Sequence, residues 1–127
     1  MTFKLSKRSN DALHGVHPAL TGVVRRAIEI TDIDFVVTEG LRTKERQAEL
    51  FKAGASQTMN SRHLTGHAVD LAAWVAGRVD WSWPLYAKLA ASMKAAAKEQ
   101  GIALVWGGDW TSFKDGPHFE LDRKVYP

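Results

Sequence analysis

The sequence predicts an α+β fold in which a small, mainly antiparallel sheet is flanked by helices. Apolar residues at helical spacing occur near the start of the chain and again late in it. Between and after them lie short β-branched or aromatic runs bounded by turn residues. Short strands joined by hairpins favour antiparallel pairing. A chain of 127 residues is expected to form one domain, 1–127.

The first part of the chain is predicted to contain three helices and one strand. A short helix is predicted at 10–17, and Pro18 suits the first turn of the second. The run 33–37, IDFVV, predicts a strand. Thr43 can cap a third helix, which Gly54 would end. The apolar face of the second helix comprises Leu20, Val23, Val24, Ala27 and Ile28.

The middle of the chain is predicted to be a long loop followed by a strand. Residues 55–66 are polar and have no period, and loops of this length are often functional. A strand is predicted at 67–72, with a turn at Ala76-Gly77.

One helix and two strands are predicted after that turn. Pro84 opens the clearest helix and Gly101 ends it. Strands are predicted at 102–106 and 118–121, with a loop between them. The buried face of the helix is predicted to comprise Leu85, Leu89, Met93 and Ala96.

Composition limits the chemistry that the chain can carry. Without cysteine there is no disulfide and no thiolate ligand, so a transition-metal site must use histidine and carboxylate. The net charge of +3 favours an acidic partner such as a cell-wall polymer. The basic residues form no stripe, so nucleic acid is not expected. There is no apolar run of signal-peptide or membrane-span length, so we expect no signal peptide and no stable membrane insertion.

Two predicted strands would each present a potential metal ligand on the face opposite the core. Side chains alternate across a strand, so Asp70 stands between two alanines on one face, and His118 and Glu120 share a face on the other strand. The core-facing positions are Val69, Leu71, Phe119 and Leu121. His63 lies seven residues before Asp70 and could fold over the same spot. Alternatively, Asp70 only ends a strand, His63 is solvated and His118 is a hydrogen-bonded core residue.

A competing metal pair is His63 with His67, spaced as in helical zinc motifs. That geometry needs a helix through Thr65-Gly66, which is unfavourable, and no glutamate follows His63. His67 is therefore predicted not to be a ligand. The two remaining histidines, His14 and His17, are predicted to be surface residues.

Two motifs carry a resemblance to a known enzyme family. Residues 61–70, SRHLTGHAVD, resemble the S-x-H-x-x-G-x-A-x-D motif of the zinc D-alanyl-D-alanine carboxypeptidase and L-alanyl-D-glutamate peptidase family. Residues 115–118, DGPH, match its second motif, an acid three residues before the last zinc histidine. The segments 40–43 and 106–110 are also similar, in the same order. The resemblance covers nearly the whole chain and is closest to single-domain endolysins of phages that infect Gram-negative bacteria.

The resemblance implies a Hedgehog/D-Ala-D-Ala peptidase-like fold and a role for five residues. His63, Asp70 and His118 would bind Zn²⁺, Asp115 would be the catalytic acid/base, and Arg42 would assist at the carbonyl oxygen. Many relatives have glutamate at the position of Asp115. Arg42 could instead pair with a carboxylate such as Glu45 or Glu39. Other roles are left open. Glu120 could orient a ligand or be solvated. Ser61 and Asp109 could hydrogen-bond substrate or shape their loops. Trp106 and Trp110 could line the groove or belong to the core.

The function implied by the resemblance is hydrolysis of the L-alanyl-D-glutamate bond in peptidoglycan stem peptides by a monomeric phage endolysin. Such an enzyme would be made in the host cytoplasm and reach the cell wall in the periplasm after a holin opens the inner membrane. The alternatives are a D,D-carboxypeptidase or dipeptidase acting on peptidoglycan precursors, and a zinc-containing binding module without catalysis.

Overall fold

A computed structural model describes residues 2–56, 58–112 and 114–127. The described residues form a sheet with helices packed on it, as the α+β prediction requires. The helices are α1 Lys7–Ala12, α2 Pro18–Ile30, α3 Lys44–Lys52 and α4 Trp83–Gln100. The strands are β1 Phe35–Glu39, β2 Ala68–Val75, β3 Arg78–Asp80, β4 Leu104–Trp106 and β5 His118–Leu121. Two short 3-10 helices lie at Arg62–Thr65 and Gly107–Asp109.

The sheet is antiparallel at every described pairing. Its order is β1-β2-β5-β4, and β3 pairs with the far end of β2. Because β2 is central, it pairs with β1 on one side and with β5 and β3 on the other. Asp70 on β2 lies directly opposite His118 on β5, and Val69 lies opposite Phe119. One register therefore determines which side chains of both strands share a face.

The core lies between the sheet and the helices α2 and α4. The predicted core-facing side chains of β2 and β5 are buried in one cluster with the apolar stripe of α2, which is confirmed at all five positions. In α4 the buried stripe begins at Tyr86, whereas Leu85 is only partly buried. Burying one such side chain stabilises the fold by roughly 1.5–3 kcal/mol.

Several boundaries differ from the sequence prediction for identifiable reasons. The first helix lies at Lys7–Ala12 rather than 10–17, because the Ser6 hydroxyl caps it by accepting a hydrogen bond from the Ser9 amide at 3.1 Å. The second strand continues to Val75 and turns back at Ala76-Gly77 into the short strand β3, which was not predicted. The 3-10 helix at Arg62–Thr65 lies in the region predicted as loop.

Candidate metal centre

The three predicted ligands converge on one face of the sheet. One potential ligand atom from each of His63, Asp70 and His118 lies within 4.8 Å of the others. The direct cross-strand pairing of Asp70 with His118 places two of them side by side. The third comes from the 3-10 helix Arg62–Thr65, whose start is capped by the Ser61 hydroxyl accepting from the His63 amide at 3.2 Å. Ser61 thus helps to position a candidate ligand.

Hydrogen bonds to the other ring nitrogens orient both imidazoles. Nδ1 of His63 donates to the carbonyl of Gly40 at 2.8 Å, so Nε2 of that ring is directed at Asp70 Oδ1, 3.2 Å away. Nε2 of His118 bonds to Oε1 of Glu120 at 2.9 Å, and its Nδ1 lies 3.5 Å from the same Asp70 oxygen. Two imidazole nitrogens and a carboxylate thus face one point, each histidine held by a second partner. This donor set fits a divalent transition metal.

The protonation preferences of the protein without metal follow from this cluster. Burial by itself would raise the pKa of Asp70, but hydrogen bonds from His118 and His63 outweigh it and hold that pKa far below its usual range. Burial opposes the charged form of His118, yet its bonds to Asp70 and Glu120 raise the pKa to about 9. The metal-free cluster therefore stabilises positive charge next to the Asp70 carboxylate.

Asp115 lies beside this cluster and lines the same pocket. The chain turns at Gly116-Pro117, and the His118 amide donates to the Asp115 carbonyl at 3.3 Å. Burial raises the pKa of the Asp115 carboxyl, the charge of Asp70 adds to the rise, and the cationic neighbours oppose it. A carboxyl group with a raised pKa is suited to accepting and returning a proton near neutral pH.

Arg42 is buried at the edge of the pocket and makes several contacts at once. Its Nε and Nη2 donate to the two carboxylate oxygens of Glu39 at 2.7 and 2.9 Å. Nη1 donates to Gln47 Oε1 at 2.7 Å, and Nη2 lies 3.6 Å from Asp70 Oδ2. Of the two carboxylates considered from the sequence, Glu39 is therefore the partner. The guanidinium is held rigidly next to the candidate ligand Asp70.

Glu120 is buried, which excludes the solvated alternative. Besides contacting His118, its second carboxylate oxygen lies 3.8 Å from Nε of Arg62 and 3.5 Å from Nε of Arg123. Arg62 also donates to the carbonyls of Leu121 and Tyr126, the first at 3.2 Å. Side chains alternate across β5, so the sequence already indicated that Glu120 shares a strand face with His118.

The other polar and aromatic candidates divide between the site and the scaffold. Trp110 lies against His118, with ring centroids 5.1 Å apart, and lines the pocket. Trp106 is buried in the core and bonds to the Gly116 carbonyl at 2.7 Å. Asp109 pairs with Lys94 on the surface at 2.7 Å, which is a structural contact. Trp81, which the sequence reasoning did not single out, also lines the pocket.

The remaining histidines lie outside the cluster. His67 bonds to the Thr65 hydroxyl at 2.7 Å and its ring centroid lies 5.4 Å from that of His17. His14 is exposed as predicted. The prediction for His17 was incomplete, because this side chain is half-buried and caps α2 by accepting from the Ala19 amide at 3.0 Å. The sequence signal for this cap was the position of His17 directly before Pro18, the first residue of α2.

Comparison with known proteins identifies the family. The model of the phage L-alanyl-D-glutamate peptidase family matches residues 1–126. The L-alanyl-D-glutamate peptidase of Escherichia phage T5 is 35% identical over 99% of this chain and 94% of its own length. The chain belongs to the phage L-alanyl-D-glutamate peptidase family. It is therefore a peptidase, and the predicted enzyme class is confirmed. A second family member, from Listeria phage A118, is 40% identical over 77% of this chain, which spans only 34% of that longer protein.

One solved structure agrees with this family membership, and a second shows the same fold. The Serratia marcescens L-Ala D-Glu endopeptidase ChiX is 50% identical and superposes with a TM-score of 0.92, covering 100% of this chain and 94% of its own. The vancomycin resistance D,D-dipeptidase VanXYg shares the fold at 18% identity, with a TM-score of 0.55 over 84% of this chain and 50% of its own. The predicted D-Ala-D-Ala peptidase-like fold is confirmed. Among the described residues, no helix is both long enough and apolar enough to cross a membrane.

Proposed function

We propose that the protein is a zinc-dependent endopeptidase that hydrolyses the L-alanyl-D-glutamate bond of peptidoglycan stem peptides and acts as a phage endolysin. The observation that carries this proposal is the convergence of His63, Asp70 and His118 beside Asp115 in one pocket of about 750 Å³. Membership in the L-alanyl-D-glutamate peptidase family indicates which bond is hydrolysed. The donor set of two imidazoles and one carboxylate favours Zn²⁺ among the common metals.

His63 through Nε2, His118 through Nδ1 and the Asp70 carboxylate are the proposed metal ligands. Three protein ligands leave one coordination position open, as hydrolytic zinc sites require. Zn²⁺ held there would supply a Lewis acid and would lower the pKa of a bound water to about 7. Gly40 and Glu120 hold the two imidazoles in the required tautomers through bonds of 2.8 and 2.9 Å.

Asp115 is the proposed proton carrier. As water adds to the alanyl carbonyl carbon, the Asp115 carboxylate accepts a proton from it, and it returns a proton to the amide nitrogen as the C–N bond breaks. The products are a free alanyl carboxylate and a free D-glutamyl amine. Burial next to Asp70 raises the pKa of Asp115, which makes its protonated form accessible in the second step.

Arg42 is proposed to stabilise the negative charge that develops on the carbonyl oxygen. Its guanidinium is always protonated, and its contacts with Glu39 and Gln47 fix it in place before substrate arrives. A donor that is oriented in advance costs no reorganisation during the reaction.

Muropeptide mass spectrometry tests the proposal directly. Purified peptidoglycan digested with the protein should yield fragments with a newly exposed D-glutamate amine. Release of free D-alanine would instead show D,D-carboxypeptidase activity, and the proposed bond would be wrong. EDTA should abolish the reaction and Zn²⁺ should restore it.

The cellular setting is part of the proposal. We propose that the protein acts as a single-domain monomer, made in the host cytoplasm and reaching the cell wall after a holin opens the inner membrane. Its net positive charge would favour contact with the anionic envelope. Light scattering of the purified protein measures its oligomeric state. Timed lysis of cells that express it with and without a holin tests the release step.

A further inference from the structure

We propose that Lys114 and Arg123 form a subsite for the free carboxylate of the D-glutamate residue on the leaving side of the scissile bond. This inference rests on the proposed function. It concerns which feature of the substrate the pocket selects, and it adds two residues to those that act on the bond.

Four cationic side chains line the pocket, and two of them are engaged within the protein. Arg42 forms the two-point ion pair with Glu39 and also bonds to Gln47. Arg62 is largely buried and donates to the carbonyls of Leu121 and Tyr126. Neither guanidinium can turn away from these partners to pair with a substrate carboxylate without breaking contacts that hold the fold together.

The other two cations, Lys114 and Arg123, face solvent at the pocket. Among the described residues, Lys114 makes no ion pair with any carboxylate. Arg123 is held only at Nε, which lies 3.5 Å from Glu120 Oε2, and its side chain is 63% exposed. The terminal nitrogens of Arg123 are therefore accessible to a ligand, while its stem is anchored. A planar guanidinium presented in this way matches a carboxylate.

Each of these two cations is connected, through the chain or through a side-chain contact, to a residue of the proposed active site. Lys114 directly precedes Asp115, and Arg123 is linked through Glu120 to His118. Both cations line the pocket that also holds Asp115 and the candidate metal ligands, so a peptide bond bound there would share one cavity with two accessible positive charges. Asp115 lines the same pocket as an ionised base, and nearby cations would offset its repulsion of an anionic substrate.

The substrate supplies the complementary group. D-glutamate has two carboxyl groups, and only one can continue the peptide. The other remains as a free anion, either on the carbon that carries the scissile nitrogen or two methylene groups beyond it. An L-alanyl-D-glutamate peptidase therefore meets a carboxylate within a few bonds of the reacting atoms, and Lys114 and Arg123 are the accessible cations of the pocket that would hold it.

Matched peptides that differ only in this carboxylate test the proposal. The probes are N-acetyl-L-alanyl-γ-D-glutamyl-L-lysine and the same peptide with the α-carboxylate replaced by carboxamide. The wild-type protein should cleave the carboxylate peptide with kcat/KM about 10- to 100-fold higher, the range of one or two charge-assisted hydrogen bonds. In the double variant Lys114→Met/Arg123→Gln this preference should disappear, mainly through a higher KM for the carboxylate peptide.

Controls separate this subsite from general charge and from the metal site. Lys124→Met removes a neighbouring exposed cation that does not line the pocket and should keep the full preference. Zinc content measured on each variant should be unchanged. Equal cleavage of both peptides by the wild type, or an unaltered preference in the double variant, overturns the inference while the proposed function stands. If neither peptide is cut between alanine and glutamate, the proposed function fails and the inference fails with it.

Discussion

Glu120 contacts Nε2 of His118 at 2.9 Å, which leaves Nδ1 of the same ring facing Asp70. A carboxylate behind a metal-binding imidazole fixes the tautomer and increases the basicity of the ligand. Glu120→Gln should therefore lower zinc affinity by about 10- to 100-fold, measured by competition with a chromogenic chelator. Glu49→Gln, an exposed change on α3, is the matched control. Unchanged affinity in Glu120→Gln would show that this contact does not support metal binding.

Removing a proposed ligand should abolish metal binding. His63→Ala and His118→Ala should each contain less than stoichiometric zinc by elemental analysis and show no hydrolysis, because two remaining ligands do not hold a hydrolytic zinc ion. His67→Ala is an informative control, since His67 lies outside the cluster but only four residues from His63. Zinc loss in His67→Ala with retention in His63→Ala would reverse the ligand assignment.

Asp115→Asn should separate chemistry from metal binding. The variant should keep its zinc while kcat falls by about 10²- to 10⁴-fold, the usual contribution of a general acid/base. In the wild type, kcat should fall toward acid pH as Asp115 becomes protonated, because the carboxylate must be ionised to accept a proton. Asp109→Asn, a surface change, should leave both rate and pH profile intact. A normal rate in Asp115→Asn would exclude this residue as the base.

The same substitution should stabilise the metal-free protein at neutral pH. Because the pKa of Asp115 is raised in the folded state, the fold binds this proton more tightly than the unfolded chain does. The free energy of unfolding therefore decreases as the pH rises from the ordinary value of 3.8 through the raised pKa, and the cost persists above it. Urea unfolding in EDTA should show Asp115→Asn above wild type at neutral pH, with the gain shrinking toward acid. A gain that is constant with pH would contradict this cause.

Arg42→Lys keeps the positive charge but loses the two-point contact with Glu39. It should lower kcat by roughly 10²- to 10³-fold, the cost of losing one donor at the carbonyl oxygen. Arg46→Lys on the exposed side of Glu39 is the control, because Arg46 lies 4.0 Å from the same carboxylate and does not line the pocket. If Arg42→Lys loses thermal stability but keeps kcat, Arg42 serves the scaffold alone.

Strand alternation was sufficient to predict that Asp70, His118 and Glu120 lie on the sheet face opposite the core. The strand β5 lies at the predicted residues, and the face shared by His118 and Glu120 is the one that alternation requires. The metal face of β2 follows from the same rule applied to Asp70. These inferences hold because period-two geometry is a local property of the backbone.

The contacts that orient the site were not predictable in this way. His63 lies on a 3-10 helix within an aperiodic polar segment, and its ring is held by the Gly40 carbonyl from the end of β1. The pairing of Arg42 with Glu39 was one of two alternatives that the sequence left open, and its two-point geometry depends on the conformation of the chain between the two residues. Sequence spacing does not determine such meetings between separate elements. Its position seven residues before Asp70 suggested that His63 could fold over the site, and the family motif then indicated it as a ligand.

The contact of Arg62 with the Leu121 and Tyr126 carbonyls has a practical meaning for chimeric antibacterials built on this chain. Arg62 immediately precedes His63, so these two hydrogen bonds hold residues 121–126 against the segment that carries this imidazole. A membrane-permeabilising peptide fused directly after Pro127 would strain the two hydrogen bonds that Arg62 donates. Such fusions call for a flexible spacer after Pro127.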